Sequence, residues 1–167
     1  MENKGGMQLI TVPRNRLSKK GITVWRLTGV ISSLVMMGIG GVLITLAILF
    51  DWHVLISIAT IIYLLIHVAL TIGILPPIKW KRWRYEVRGD EIEIQQGVIV
   101  IKRTLIPMIR VQHVDMKQGP LLRKYGLATI SISTAATIHE IPVLEVEEAE
   151  EIRHYISSKT KVAEEDV

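Results

Sequence analysis

The sequence predicts a membrane α + β protein, in which a two-helix transmembrane hairpin precedes a small antiparallel β-sheet or open barrel capped by a C-terminal α-helix. Three observations carry this prediction. Residues 29–50 and 54–75 contain no Asp, Glu, Lys or Arg. After Pro77 the apolar residues alternate with a period of two, which is typical of strands. Beyond residue 145 they recur every three to four residues, which is typical of a helix with one apolar face.

Each charge-free run is long enough to cross a bilayer. At about 1.5 Å per residue, 22 residues cover about 33 Å, and the hydrocarbon core is about 30 Å thick. Within lipid the backbone must satisfy its own hydrogen bonds, so both runs are expected to be helical. A buried hairpin in a soluble core would show a polar face on each helix, and neither run has one. Asp51, Trp52 and His53 leave room only for a tight connection.

The positive charge lies beside the two spans. The net charge is +5 over residues 1–28, −1 over 29–78, +3 over 79–87 and −3 over 88–167. This pattern is that of a membrane edge and not of a nucleic-acid partner. Because Lys and Arg flank the hairpin and are absent from its connection, we expect a multi-pass protein of the inner (cytoplasmic) membrane with both termini cytoplasmic. The residues expected to contact anionic headgroups are Arg14, Arg16, Lys19, Lys20, Lys79, Lys81, Arg82 and Arg84.

The second half of the chain predicts one small domain. Strands are expected in residues 83–87, "EIEIQQG", "VIVIKRTLIP", "MIRVQHVDM", "ATISIST" and "HEIPVL". A helix follows in "EVEEAEEIRHYISSKT", with Val146, Ala149, Ile152 and Ile156 on its apolar stripe. The predicted organisation is a basic N-terminal segment (1–28), the hairpin (29–75), a basic linker with the first strand (76–87), the domain itself (83–160) and a frayed tail (161–167).

A family resemblance rests mainly on residues 106–135, "IPMIRVQHVDMKQGPLLRKYGLATISISTA". Following two spans and preceding a short acidic helix, this run is similar to the hallmark of membrane-anchored bacterial pleckstrin-homology (PH) domain proteins of the YdbS type. The resemblance implies a PH-like fold without an established catalytic activity. It also implies a hetero-complex with a larger, multi-span relative, and a link to envelope stress or to resistance against membrane-active antimicrobial peptides.

The same run holds the chain's densest set of chemical groups. His113 and Asp115 share one face of a predicted strand, and His139 would join them only if its strand were adjacent. Two or three such ligands without Cys or an H-x-x-x-H spacing do not predict a metal site, and no cofactor is expected. Ser131 and Ser133 lie in a regular strand and not on a nucleophile turn, so no enzyme is predicted. Residues 118–126 instead predict a turn and one helical turn that Gly126 ends.

The predicted function is therefore a non-catalytic, membrane-tethered interaction module, a subunit of a membrane complex or a homo-oligomer. The partner-binding candidates are Arg110, Gln112, His113, Asp115, Gln118 and Arg123. The alternative is an accessory subunit of a transport or efflux system that acts through the spans. That alternative depends on His67, the histidine within the second span.

Overall fold

The computed structural model describes residues 12–165, with side chains as far as residue 160. The helices are α1 (Lys20–Leu49), α2 (Val54–Val68), α3 (Leu75–Arg82), α4 (Pro120–Lys124) and α5 (Val146–Glu165), with a π-helical segment (Ala69–Ile74) and a 3-10 turn (Met108–Arg110). The strands are β1 (Asn15–Arg16), β2 (Arg84–Arg88), β3 (Glu91–Gln96), β4 (Lys102–Pro107), β5 (Val111–Lys117), β6 (Leu127–Thr134) and β7 (Ile138–Glu145).

Two long helices form the hairpin. Lys20–Leu49 and Val54–Arg82 are both long and apolar enough to cross a membrane. The second helix continues beyond the predicted end of its span, so most of the expected linker is helical. Pro76 and Pro77 do not break the helix, because they lie in the first turn of α3. There the fixed φ of proline is compatible with the helix and its missing N–H is not needed as a donor. The π-helical segment immediately before them adjusts the hydrogen-bonding pattern.

Two antiparallel sheets and α5 form the domain. One sheet has the order β1-β2-β3-β4 and the other the order β5-β6-β7, while α5 packs against all three strands of the second sheet. The predicted fold class is thus confirmed. The largest side chains of the core with no exposed surface are Tyr85, Ile92, Leu127, Ile130, Ile132, Ile141, Leu144 and Ile156. The apolar stripe of α5 faces this core, since Ala149 is also fully buried and Val146 and Ile152 pack against it.

The domain also takes in residues that precede the first span. β1 pairs with β2, placing Asn15 opposite Tyr85 and Arg16 opposite Arg84. Leu17 is buried in the core, and Trp80 Nε1 donates a hydrogen bond of 2.8 Å to its carbonyl. The sequence predicted a separate basic segment up to residue 28. The described part of that segment, from residue 12, is instead a strand and the start of α1, because both ends of the hairpin meet at one sheet.

The hairpin between β3 and β4 also differs from the prediction. The sequence predicts a strand from Val98 onward, but β4 begins at Lys102 and residues 98–101 form the end of the hairpin. We call these four residues the β3–β4 tip. Gly97 permits the turn, because its φ is +127° and a Cβ there would lie 1.8 Å from the Val100 carbonyl oxygen.

Candidate functional site

An open groove lies where the two sheets of the domain meet. It has a volume of about 560 Å³, and the residues that line it include Leu105, Ile109, Arg110, Gln112, Thr137 and His139. We call it the β4–β5 groove. Within the described part of the chain β4 pairs only with β3, so one edge of the strand beside the groove is free to accept hydrogen bonds or another strand.

The local backbone sets the chemistry of this groove. Met108 is buried, and its N–H donates a 2.8 Å hydrogen bond to the Asp90 carbonyl, which fixes the 3-10 turn. The next residue, Ile109, is then 73% exposed, and Leu105 on β4 is 55% exposed. A register shift between Val111 and His113 follows at the start of β5. Apolar side chains beside exposed polar ones on an open strand edge are typical of a protein-binding surface.

His139 supplies a neutral polar group to the same groove. Its burial lowers the pKa of the imidazole below the usual value, and the nearby positive charge of Lys102 lowers the pKa further. The ring is therefore uncharged near pH 7 and offers one hydrogen-bond donor and one acceptor. Arg110 remains the cationic residue among those that line the groove.

The six predicted partner-binding residues do not share one surface. Arg110 and Gln112 line the groove. His113 and Asp115 are exposed on β5 but do not line the groove, and they pair with each other, with Nε2 and Oδ1 2.8 Å apart. Gln118 has a structural contact, because its Nε2 donates a 2.9 Å hydrogen bond to the Leu127 carbonyl and closes the β5–β6 connection.

Arg123 lies in a different place, on α4. The neighbouring Leu121 and Leu122 line a cavity of about 320 Å³ together with Val24 and Trp25 of α1. α4 thus packs beside the start of the first long helix. The predicted turn and single helical turn in this connection are confirmed, and Gly126 ends α4 with φ +65°.

The three possible metal ligands are not brought together. His139 pairs with Ile132, and Ile132 pairs with Val114, so these residues share one face of the sheet. His113 and Asp115 pair with Ser133 and Ser131 and lie on the opposite face. Among the residues that the structure describes, no group of three or more His, Asp or Glu could hold a metal ion.

Several of the predicted lipid-contacting residues connect the hairpin to the domain. Lys20 Nζ lies 2.9 Å from Glu145 Oε2, and the Arg14 guanidinium lies 4.0 Å from the Glu86 carboxylate. Hydrogen bonds from Ser18 and Lys20 hold the pKa of Glu145 below its usual value. That of Glu86 is lowered mainly by the hydrogen bond from Arg88.

Others of this basic set stack on rings or remain exposed. The Arg16 guanidinium lies 5.7 Å from the centre of the Trp80 ring, and Lys79 Nζ lies 5.6 Å from that of Trp25. These cation–π contacts tie the ends of the two long helices to each other and to β1. Of the other four basic residues in this set, Lys19 and Lys81 are exposed, and Arg82 and Arg84 are half-buried.

Polar side chains also meet inside the hairpin. His67 Nε2 lies 3.4 Å from Ser32 Oγ, and Ser33 Oγ lies 3.5 Å from Thr71 Oγ1. Thr71 in turn donates a 2.8 Å hydrogen bond to the His67 carbonyl. His67 therefore has a partner on the neighbouring helix, which fits a hydrogen-bonded residue at a helix contact.

The apolar hairpin and the antiparallel sheets with their capping helix define a membrane protein that carries a PH-like domain. The family described as "Bacterial PH domain" matches residues 26–160. The chain belongs to this family, which confirms the resemblance seen in the sequence. No solved structure matches the chain.

Two relatives from Bacillus subtilis (strain 168) are similar to this chain. The UPF0699 transmembrane protein YdbS is 46% identical over 155 residues, which make up 93% of this chain and 98% of that protein. The UPF0699 transmembrane protein YdbT is 31% identical over 86 residues, which make up 49% of this chain and 17% of that protein. These similarities support membrane localisation.

Sequence reasoning found only part of the groove. It selected Arg110 and Gln112, but it did not select Leu105 or Ile109, and it considered His139 only as a metal ligand. The signal available for Leu105 and Ile109 was weak, because apolar residues in an alternating strand are normally assigned to the core.

Proposed function

We propose that this protein is a non-catalytic, membrane-tethered interaction module that binds a membrane-protein partner through the β4–β5 groove. The observation that carries the proposal is the combination of a free β4 edge with exposed Leu105 and Ile109 and with Arg110. A partner strand can add to such an edge through backbone hydrogen bonds, while its side chains enter the groove. Tethering both proteins in one membrane raises their effective concentration.

The partner we propose is a larger membrane protein that carries similar domains. The similarity to YdbT supports this choice, because the same match covers 49% of this chain but only 17% of YdbT, which is therefore the much longer protein. A domain related to this one in the partner would present strand edges of its own. A homo-oligomer formed through the same groove is the alternative arrangement.

The proposed orientation places both termini in the cytoplasm. Pairing of β1 with β2 supports the location of both ends of the hairpin on one side of the membrane. The Lys and Arg residues beside those ends support the cytoplasmic side, where anionic headgroups attract them. The physiological setting within this proposal is envelope stress or resistance to membrane-active antimicrobial peptides.

The test is a pull-down of the C-terminally tagged full chain from its native membranes in mild detergent, with mass spectrometry of the accompanying proteins. We expect one membrane protein in near-stoichiometric amount with the wild type. Ile109→Asp together with Arg110→Ala should remove it, because the pair takes an apolar and a cationic contact from the groove. Both side chains are exposed, so the fold should persist.

The matched control is Val12→Asp, which changes an exposed aliphatic side chain before β1 that belongs neither to the groove nor to the β3–β4 tip. This variant should retain the partner. Equal loss with both variants would argue against the groove as the binding surface. Loss of the partner with His67→Leu, but not with the groove variant, would instead favour the accessory transport subunit, whose support here is the contact between His67 and Ser32.

A further inference from the structure

The β3–β4 tip exposes an unbroken aliphatic sequence, Val-Ile-Val-Ile. Ile99 is 92% exposed, Val100 is 78% exposed and Ile101 is 51% exposed. Tips of β-hairpins that face water usually contain Gly, Asn, Asp, Ser or Pro. Adjacent exposed aliphatic residues mark a site where another surface covers them.

The tip lies at the end of the sheet from which the membrane helices emerge. Arg16, four residues before the start of α1, pairs with Arg84, and Arg84 pairs with Gln95. Gln95 Nε2 also lies 3.3 Å from the carbonyl oxygen of Arg82, the last residue of α3. Gln96 pairs with Lys102, and the tip connects these two residues.

The opposite end of the same sheet faces away from the helices. There β2 and β3 are joined by the turn at Gly89 and Asp90, which α5 covers. Tyr155 donates a hydrogen bond of 3.2 Å to the Gly89 carbonyl, and Lys159 Nζ lies 3.3 Å from Asp90 Oδ1. The sheet therefore has one end covered by α5 and one end beside the membrane helices.

The dimensions allow the tip to reach the bilayer. Ile99 is three residues beyond Gln96, and because residues 98–100 bend, it extends at most about 10 Å past the end of the sheet. Leu75, which ends the apolar run of the second span, is seven residues before Arg82, or about 10 Å along the helix. A tip directed back along α3 would thus approach the edge of the hydrocarbon core.

The charges around the tip suit the same surface. Lys102 and Arg103 follow it directly, and Lys81 and Arg82 end the adjacent helix. Cationic side chains beside an apolar segment allow the segment to enter the acyl boundary while the charges remain among anionic headgroups.

We propose that the β3–β4 tip inserts into the leaflet next to the PH-like domain, as a third membrane contact besides the two spans. The tip then fixes the tilt of the domain on the membrane surface. This inference does not depend on the β4–β5 groove or on the identity of a protein partner.

The test uses the full chain, which contains no cysteine, so that a single Ile99→Cys can carry a nitroxide label. The labelled protein is reconstituted in vesicles of phosphatidylethanolamine and phosphatidylglycerol. Collision of the label with oxygen, which dissolves in lipid, is compared with collision with a water-soluble nickel chelate. The control is Glu91→Cys, an exposed position at the other end of β3.

We expect the oxygen-to-nickel collision ratio at position 99 to be several-fold higher than at position 91. Equal ratios would overturn the proposal. Mutual broadening of the labels at position 99, with low access to both reagents, would assign the tip to a second copy of the chain and would also overturn it. In phosphatidylcholine vesicles the high ratio should persist, whereas its complete loss there would indicate a surface contact through Lys102 and Arg103 without insertion.

A second variant separates insertion from a general effect of the label. With the label on Val98→Cys, adding Ile99→Asp and Val100→Asp should reduce the collision ratio to the value of the control position. Both side chains are exposed, so the sheet should remain folded. An unchanged ratio would overturn the assignment of the tip as the inserting element.

Discussion

In the two-helix hairpin, large apolar side chains face outward. α2 lies wholly within the described part of the chain and buries none of its residues, and Leu34 of α1 is 64% exposed. In the domain, Ile130, Ile132 and Leu144 have no exposed surface. Similar apolar side chains are thus exposed in one region and buried in the other. Lipid solvates those of the hairpin, whereas the domain must enclose its core against water.

The two regions meet at a junction that is packed like the domain and not like the hairpin. Gly21 of α1 lies against Val143 of β7, and Ser18 N–H donates a 3.2 Å hydrogen bond to the Val143 carbonyl. Val143 has φ +50°, which is costly for a β-branched residue and persists only where its surroundings hold it. The domain, the first two turns of α1 and the end of α3 therefore form one structural unit, and the rest of the hairpin projects from it.

The largest expected difference between the regions comes from truncating an apolar side chain in each. Ile132→Ala should lower the free energy of unfolding of the domain by about 2–5 kcal/mol, because it leaves a cavity in a core that cannot relax fully. Leu34→Ala in the hairpin should change it by less than about 0.5 kcal/mol. Denaturant unfolding of both variants in the same detergent, followed by tryptophan fluorescence, measures the two values. Similar losses would contradict the contrast.

A smaller effect is expected from adding one methyl group to a glycine. Gly21→Ala would bring a Cβ to 2.5 Å from Val143 Cγ2, so we expect a loss of about 1–3 kcal/mol from overpacking. Gly38→Ala, in the same helix, meets no atom within 4 Å and should be neutral or slightly stabilising. Thermal unfolding compares the pair. A neutral Gly21→Ala would show that the junction is looser than the core.

A weaker contribution is expected from the ion pair at the junction. Because Ser18 and Lys20 lower the pKa of Glu145, the stability that its carboxylate gives is present above the usual Glu pKa of about 4.3 and is lost as pH falls through the lower, folded-state value. The pair is partly exposed, so its contribution should stay under about 1 kcal/mol. Wild type should exceed Glu145→Gln in stability near pH 7, and the difference should vanish on acidification. A difference independent of pH would exclude the charged contact as its cause.

The smallest effect is expected inside the hairpin. His67→Leu removes a 3.4 Å contact with Ser32, and such polar contacts between membrane helices contribute about 0.6 kcal/mol on average. Recovery of the partner protein and helix content measured by circular dichroism should both be close to wild type. The conservative His67→Gln serves as the control, since it keeps a polar group. Loss of the partner protein with His67→Leu, but not with His67→Gln, would indicate that a polar group at this position in the spans is required for partner binding.

The sequence was sufficient where the pattern is local. Charge-free runs of sufficient length marked both spans because charged side chains are costly within lipid. The six strands predicted from the sequence correspond to β2–β7, and a repeat of three to four residues marked the face of α5 that buries Ala149 and Ile156. Arg110 and Gln112 were selected for the site, but the groove itself depends on how two sheets and a 3-10 turn meet, which no local pattern contains.

By itself, the sequence determined the two spans, the position of the basic residues and the class of the domain, since each follows from periodicity or composition over many residues. Tertiary structure decided that Asn15 and Arg16 form a strand, that the helix runs through Pro76 and Pro77 to Arg82, and that residues 98–101 leave the sheet. A two-residue strand has too little pattern to read, and an aliphatic run such as residues 98–101 favours a strand by local pattern although it forms an exposed tip here. Long-range pairing, such as that of Arg16 with Arg84, decides which of these segments form strands, because a strand needs a neighbouring strand for its backbone hydrogen bonds.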